Sequence, residues 1–171
     1  RETLNPNTLQ QSLLGQDAAG KLQVVLEIAQ SLGRTLDLDP LLDKLLEQLL
    51  RLFPQADRAL VVLCEGEQLV ERAQRVRGLR DTINMPFSKT IVNRALKEGV
   101  GLWSEDVQTD HRFLSSQTLT TLGILSMLCV PLITLEGKRL GVLQLDRLRP
   151  GQNFRRDDLQ LLGAVSLQVA V

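Results

Sequence analysis

The stretch LSMLCVPLITLEGKRLGVLQLD, residues 125–146, predicts two antiparallel strands joined by a tight turn. Apolar side chains dominate residues 125–134 and 139–146, which suits two strands in the interior of a sheet. The residues between them, 136–138, are Glu-Gly-Lys and have the composition of a hairpin turn. Because so short a connection joins antiparallel neighbours, we expect the sheet that contains this hairpin to be antiparallel.

Three residues inside the hairpin have roles that follow from their chemistry. Pro131 has no backbone N–H, so we expect it at an edge of the sheet or at a bulge. Gly141 allows another backbone or a ring to approach closely. Gln144 interrupts an apolar strand on the face that it shares with Asp146. A buried amide needs a partner, which could be a ligand, a water or a neighbouring backbone group.

Outside the hairpin, the spacing of apolar side chains predicts further helices and strands. The predicted helices cover residues 20–33, 40–53, 88–98 and 154–171, and the predicted strands cover residues 58–64, 68–76 and 100–104. Asp39 and Ser88 are suited to cap the second and third helices, and Gly99 to end the third. A weak helical turn is expected within residues 113–122. Hairpins dominate this order, which predicts one α+β domain over residues 20–171 after a linker.

The composition argues against several classes of function. The 171 residues include 20 basic and 20 acidic side chains, so no basic face for nucleic acid is expected. Two cysteines indicate a reducing compartment, and one histidine leaves little room for a zinc site or a catalytic triad. No apolar run reaches the roughly 20 residues of a membrane helix. Since the chain begins at Arg1 without a signal peptide, we expect a cytoplasmic piece of a longer protein.

Five local sequences occur in a fixed order along the chain. They are Leu36–Leu42, Ser88–Val92, Asp106 with Asp110–Phe113, the hairpin at 125–146, and Phe154 with Asp157–Leu159. Their order and spacing resemble those of GAF domains, the small-molecule sensing modules of signalling proteins. The resemblance covers about residues 20–171 and is strongest to domains of bacterial multidomain regulators. Such domains often stand beside forkhead-associated, phosphatase, cyclase or kinase domains.

The resemblance implies a sheet of five to six antiparallel strands, with the N- and C-terminal helices on one face. A pocket under short helices would lie on the other face. The implied function is regulatory: the domain binds a small molecule or relays a signal to a linked output domain, and it is not an enzyme. The apolar stripes of residues 20–33 and 155–171 predict a homodimer built through a helical bundle. The ligand and any cofactor are not identified by the resemblance.

Eight residues are candidates to line the implied pocket. They are Asn93, Arg94, Trp103, Asp106, His111, Ser126, Met127 and Gln144. Each has an alternative role in the core or on the solvated surface. No catalytic residue and no metal ligand is predicted among them.

The family's cyclic-nucleotide signature is only partly present. The corresponding positions are Asp146, Arg147, Phe154, Asp158 and Leu159. They keep a cation, an aromatic ring and an acid, but they lack the usual Asn and Glu. An ion pair between Arg147 and Asp158 would join a strand end to the last helix in a structural role.

Two other chemistries of the family depend on cysteine. A covalent bilin uses a pocket cysteine commonly followed by histidine, and neither Cys64 nor Cys129 precedes one. Reduction of free methionine sulfoxide needs accessible thiols, and both cysteines lie in predicted strands among apolar neighbours. A ligand-free dimerisation or relay module, its pocket filled by its own side chains, is the main alternative function. A small redox enzyme is a third.

Overall fold

The computed structural model describes residues 38–79, 85–114 and 116–169. The described helices and strands follow the predicted order closely. They are α1 (Leu38–Leu52), β1 (Arg58–Glu65), β2 (Gln68–Val76), α2 (Lys89–Glu98), β3 (Leu102–Ser104), α3 (Gln117–Leu122), β4 (Ser126–Ile133), β5 (Arg139–Arg147) and α4 (Arg156–Val169). The linker at 1–19 and the predicted helix at 20–33 lie outside the described residues.

The five described strands form one antiparallel sheet in the order β2-β1-β5-β4-β3. The hairpin β4–β5 is therefore in the interior, as its apolar composition predicts. Arg58 of β1 is paired with Asp146 of β5, and Leu128 of β4 with Leu145 of β5. The α+β class and the antiparallel sheet are confirmed.

Each face of the sheet is covered by its own apolar cluster. On one face α1 packs over β1 and β2 while α4 packs over β4 and β3, and we call this the helix face. On the other face α2, α3 and their loops cover side chains such as Leu60, Met127 and Val142, and we call this the loop face. Because side chains alternate along a strand, neighbouring residues of β5 serve opposite clusters.

Local chemistry explains most helix ends. The Ser88 hydroxyl accepts a hydrogen bond from the Ile91 N–H at the start of α2, and Gly99 ends α2 with φ of 66°. Helix α1 begins at Leu38, so Asp39 lies in its first turn rather than capping it. At the other end of α1, the Arg77 guanidinium donates to the carbonyls of Leu50, Phe53 and Ala56.

Pro131 and Gly141 occupy the places that their chemistry predicts. Strand β3 pairs only with residues 127–129 of β4, so Pro131 lies beyond it, where the outer edge is unpaired. Gly141 has φ of 157°, and a Cβ there would lie 2.0 Å from the Val62 carbonyl oxygen. The close contact between β1 and β5 therefore requires glycine at this position.

We expect Gly141→Ala to lower the free energy of unfolding by about 2–3 kcal/mol, because backbone atoms of β1 must move to admit the methyl group. Gly66→Ala is a matched control. Gly66 also has a positive φ, of 64°, but a Cβ there meets nothing within 4 Å. This control should lose about 1 kcal/mol, from backbone strain alone. Urea unfolding of the two variants measures the difference, and equal losses would contradict the steric argument.

Candidate functional site

Polar side chains are grouped on the loop face, at the end of the sheet where β1 begins and β5 ends. We call this group the polar cluster. It consists of Arg58, Glu71, Gln74, Gln144 and Asp146. Apolar residues of the loop-face core flank it along β1 and β5. Polar groups buried beside an apolar core need hydrogen-bond or charge partners, which makes this cluster the candidate site.

An ion pair between Arg58 and Asp146 is the centre of the polar cluster. Both side chains are 0% exposed, and Nε and Nη2 of Arg58 lie 2.8 and 2.7 Å from Oδ2 of Asp146. Nη1 of Arg58 donates to the carbonyl of Pro86 at 2.9 Å. The guanidinium therefore joins the two central strands to the segment that leads into α2.

Gln144 contributes an open hydrogen-bond acceptor to the cluster. Its Nε2 donates to Oδ1 of Asp146 at 2.8 Å. Its Oε1 is buried and has no hydrogen-bond partner in the part of the chain that the structure describes. A buried acceptor without a donor costs about 1–3 kcal/mol. The site is thus ready to accept a donor from a bound molecule or a water.

Gln74 and Glu71 extend the cluster onto β2. Nε2 of Gln74 donates to Oε1 of Glu71 at 2.7 Å and to the carbonyl of Met85 at 3.0 Å. Burial raises the pKa of Glu71, while the hydrogen bond from Gln74 and the charge of Arg58 act in the opposite direction. The pKa of this carboxyl group is therefore higher than that of a glutamate in water.

The apolar part of the loop face is filled by the protein's own side chains. Phe113 from the loop after β3, Ile91 from α2 and Met127 from β4 are at most 2% exposed. Cys129 is also fully buried there, and desolvation followed by the charge of Asp146 raises the pKa of its thiol. A thiol of this kind is a poor nucleophile.

The two cysteines are far apart in the sheet. Cys64 is half-buried, so it is more accessible than the sequence suggested, whereas Cys129 is buried. Leu60 of β1 is paired with Gln144 of β5, and Gln144 is paired with Cys129 of β4. Cys64 lies four residues beyond Leu60 on β1, so it is two strands away from Cys129 and displaced by four residues along the strand direction. This separates the two Cα atoms by roughly 16 Å at ordinary sheet spacings. A disulfide needs Cα atoms within about 7 Å.

Two of the four sheet candidates, Gln144 and Met127, lie on the loop face, and the other two lie on the helix face. Gln144 belongs to the polar cluster, and Met127 is a fully buried core residue. Ser126 is also fully buried, and its hydroxyl donates to the carbonyl of Ser104 at 2.9 Å. The fourth, Trp103, packs against the helix-face core, and its Nε1 donates to the carbonyl of Phe154 at 3.1 Å. Trp103 and Gln144 are therefore on opposite faces and share no site.

The four helix and loop candidates lie on the surface. Asn93 is exposed on α2, and Arg94 forms an ion pair with Glu98 at 3.2 Å. Asp106 accepts a hydrogen bond from the Gln108 N–H at 3.0 Å, and His111 is exposed. None of these contacts joins the polar cluster.

Sequence reasoning missed three members of the polar cluster, namely Arg58, Glu71 and Gln74. Arg58 did carry a signal, since it is a charged residue at the start of an apolar strand and would need a buried partner. Glu71 and Gln74 lie in a strand of alternating character, where a solvated face was equally compatible with the pattern. The strand register was needed to bring them to Arg58.

The predicted ion pair between Arg147 and Asp158 does not form. Oδ2 of Asp158 accepts hydrogen bonds from Gln55 and from the Arg155 N–H, at 2.9 and 2.7 Å. Arg147 instead donates to the carbonyl of Gly151. The acid caps the start of α4, so it is not available to the arginine.

Asp110 organises the turn after β3. It accepts hydrogen bonds from the Arg112 N–H and from Nε of Arg112, both at 3.0 Å, and from the Ser104 hydroxyl at 2.8 Å. These contacts, led by those from Arg112, lower the pKa of Asp110 to about 2. Phe113 is buried beneath the Arg112 guanidinium, which lies 5.0 Å from its ring centre.

Two further kinds of feature are absent from the described ranges. No helix there combines the length and the apolar character that crossing a bilayer demands. In the same ranges, no group of three or more His, Cys, Asp or Glu side chains could hold a metal ion.

The model of the GAF domain family matches residues 37–171. Comparison with curated proteins finds no significant sequence match. Among solved structures, the GAF domain region of a Geobacter sulfurreducens protein is 23% identical, with a TM-score of 0.63, covering 83% of this chain and 96% of that one. A GAF domain from a phosphoenolpyruvate-protein phosphotransferase of Coxiella burnetii is 17% identical, with a TM-score of 0.61 and coverages of 91% and 93%.

The fRMsr of Staphylococcus aureus, in its reduced form, shares the fold as well. It is 19% identical, with a TM-score of 0.59, and the coverages are 86% of this chain and 92% of that one. At these identities the likeness concerns the fold alone.

The low pKa of Asp110 predicts a pH dependence of stability. Its carboxylate is favoured in the folded state, so its contribution is complete above about pH 4, near the usual range, and fades as pH falls towards 2. We expect Asp110→Asn to cost about 1 kcal/mol at neutral pH, because Arg112 is partly solvated. The deficit relative to the wild type should shrink markedly between pH 7 and pH 2.5, as the pH approaches the folded pKa. Asp106→Asn is the control, and an Asp110→Asn deficit as large at pH 2.5 as at pH 7 would contradict the assignment.

Proposed function

The chain belongs to the GAF domain family, and we propose that it acts as a regulatory sensory domain. In this proposal a small molecule binds at the polar cluster on the loop face. The terminal helices on the other face relay the event to a linked output domain. We place the protein in the cytoplasm, in keeping with its free cysteines.

The unpartnered acceptor of Gln144 is the observation that carries the proposal. Native proteins seldom leave a buried side-chain oxygen without a donor. A molecule that brings an N–H or O–H group to this point would recover the lost hydrogen bond, and Arg58, Asp146 and Glu71 offer charge nearby. A small polar molecule with both donors and acceptors fits this arrangement best.

Relay requires that the ligand bind two states of the domain with different affinity. The segment at Met85 and Pro86 is held to the polar cluster by Gln74 and Arg58. It leads into α2, which is packed on β4 and β5. A ligand that competed for these hydrogen bonds would alter the position of this segment, and α1 and α4 share the sheet with it.

A ligand-free relay module is the second candidate. The observation in its favour is the packing of the loop face, where Phe113, Ile91 and Met127 fill the apolar space. In that case a partner domain would be the input, and a water would satisfy Gln144.

Enzymatic reduction of methionine sulfoxide is the third candidate, favoured only by fold likeness to the fRMsr of Staphylococcus aureus. That chemistry needs a reactive thiol and a resolving thiol within reach. The burial of Cys129 and its distance from Cys64 argue against it. We therefore propose a binding function and not an enzymatic one.

Ligand binding at the polar cluster is tested by a thermal-shift screen of polar metabolites against the intact chain and its Gln144→Met variant. A ligand should raise the melting temperature of the wild type by mass action. The effect should be weaker in Gln144→Met, which keeps the side-chain volume but removes the acceptor. The variant also loses the hydrogen bond to Oδ1 of Asp146, so the ligand-induced shift of each protein is measured from its own melting temperature.

Gln68→Met is the matched control, since Gln68 is exposed at the start of β2 and outside the polar cluster. It should respond to ligands as the wild type does. A broad screen with no response in the wild type would contradict the sensor and favour the relay module. A ligand that stabilises Gln144→Met as strongly as the wild type would place binding elsewhere.

We also propose that the domain dimerises through residues 20–33 and 155–171. Leu167 on α4 is 59% exposed, beside a groove of about 680 Å³ between α4 and the end of β4. Light scattering at micromolar concentration should give the mass of a dimer, and Leu167→Asp should shift it to the monomer. Leu114→Asp is the control, because Leu114 is similarly exposed, at 57%, in a loop outside the proposed interface. A monomeric wild type would contradict this proposal.

A further inference from the structure

Arg147, at the end of β5, is a buried cation without an acid partner among the described residues. It is 8% exposed, and its Nη1 donates to the uncharged carbonyl of Gly151. Its Nε is buried and lacks a hydrogen-bond partner among the residues of the described ranges. No carboxylate of those ranges lies within 4.0 Å of its guanidinium. Buried charges in proteins are ordinarily paired, since an unpaired one pays its desolvation without compensation.

The nearby carboxylates are engaged elsewhere. Oδ2 of Asp57 accepts from the N–H groups of Leu148 and Arg149, at 2.7 and 2.9 Å. Oδ1 of Asp57 lies 3.1 Å from both Nε and Nη2 of Arg149. Asp158 accepts from Gln55 and from the start of α4. The positive charge of Arg147 is therefore left over after the local acids are satisfied.

Arg147 borders an open pocket of about 390 Å³. The pocket lies between the segment after α1 and the loop that connects β5 to α4. Its polar lining includes Gln55, Asp57, Arg147, Arg149 and Gln152. Two cations and two amides thus face one acid, which Arg149 already neutralises.

We propose that this pocket binds a small oxyanion, a phosphate or carboxylate group, which pairs with Arg147. A guanidinium presents several N–H donors in a fixed fork that matches such oxygens, and the ion would supply the missing acceptor and the missing negative charge. Gln55 and Gln152 offer amide donors at the rim. The pocket lies on the side of β5 opposite the polar cluster, so this inference does not depend on the proposed function.

The intact chain is titrated with inorganic phosphate and, separately, with succinate, against chloride at equal ionic strength. The melting temperature should rise with the logarithm of the anion concentration above Kd, by about 3 °C or more once the anion exceeds its Kd tenfold. The phosphate and succinate arms show which oxyanion the pocket prefers. In the same titrations, the Nε–Hε resonance of Arg147 should shift along a saturable binding curve that gives the same Kd.

Arg147→Met keeps much of the side-chain volume and should abolish the anion-dependent rise. Lys138→Gln is the matched control, because it removes an exposed cation of the β4–β5 turn that lies outside the pocket and outside the proposed dimer interface. It should keep the full response. An equal rise in Arg147→Met and wild type, or no rise in the wild type, would overturn the proposal.

A second variant guards against a folding defect in Arg147→Met. Gln152 is exposed at the pocket rim, so Gln152→Glu should fold normally and bring a carboxylate towards Arg147. This variant should weaken the apparent affinity for phosphate at least tenfold through competition and repulsion. Gln68→Glu adds the same charge on an exposed site of β2 outside the pocket, and it should leave the affinity within twofold. Equal affinities in the two Glu variants would also overturn the proposal.

Discussion

The buried ion pair between Arg58 and Asp146 is the constraint on which the rest of the structure depends. The two residues are direct partners in the register of the central strands β1 and β5. A slip of β1 by one residue would turn Arg58 towards the apolar helix face and leave Asp146 buried without its partner, and removal of one partner would cost about 3–5 kcal/mol. The pair therefore selects one register for the sheet. Through the carbonyl of Pro86 it also selects the path of the chain into α2.

The same strand ends carry a different electrostatic arrangement on their two sides. Asp57 and Arg58 are consecutive, as are Asp146 and Arg147, and consecutive residues of a strand point to opposite faces. On the loop face the positive and negative charges meet and neutralise each other. On the helix face Asp57 forms its ion pair with Arg149, and Arg147 has no carboxylate partner among the described residues. The charges on the loop face are paired within the protein, while the helix face keeps the positive charge of Arg147, which a bound anion could neutralise.

Features that depend on local backbone chemistry could be predicted from the sequence. The cap at Ser88 and the close approach at Gly141 follow from what one side chain can or cannot do, whatever the rest of the fold. Features that depend on the register of the strands could not be predicted in this way. The three residues of β3 are too few to show an alternation, so the face of Trp103 was undetermined. Arg58 could be assigned to a site only after the pairing with β5 brought an acid to it, whereas Gln144 was identifiable because a lone amide in an apolar strand always needs a partner.

Arg77 has a consequence for how the two faces communicate. Its guanidinium closes the C-terminal end of α1, and its N–H donates to the carbonyl of Asp57 at 2.7 Å. Three residues earlier, on the edge strand β2, Gln74 donates to the carbonyl of Met85 on the loop face. One end of β2 is thus fastened to the covers of both faces, so a displacement of this strand acts on both of them at once.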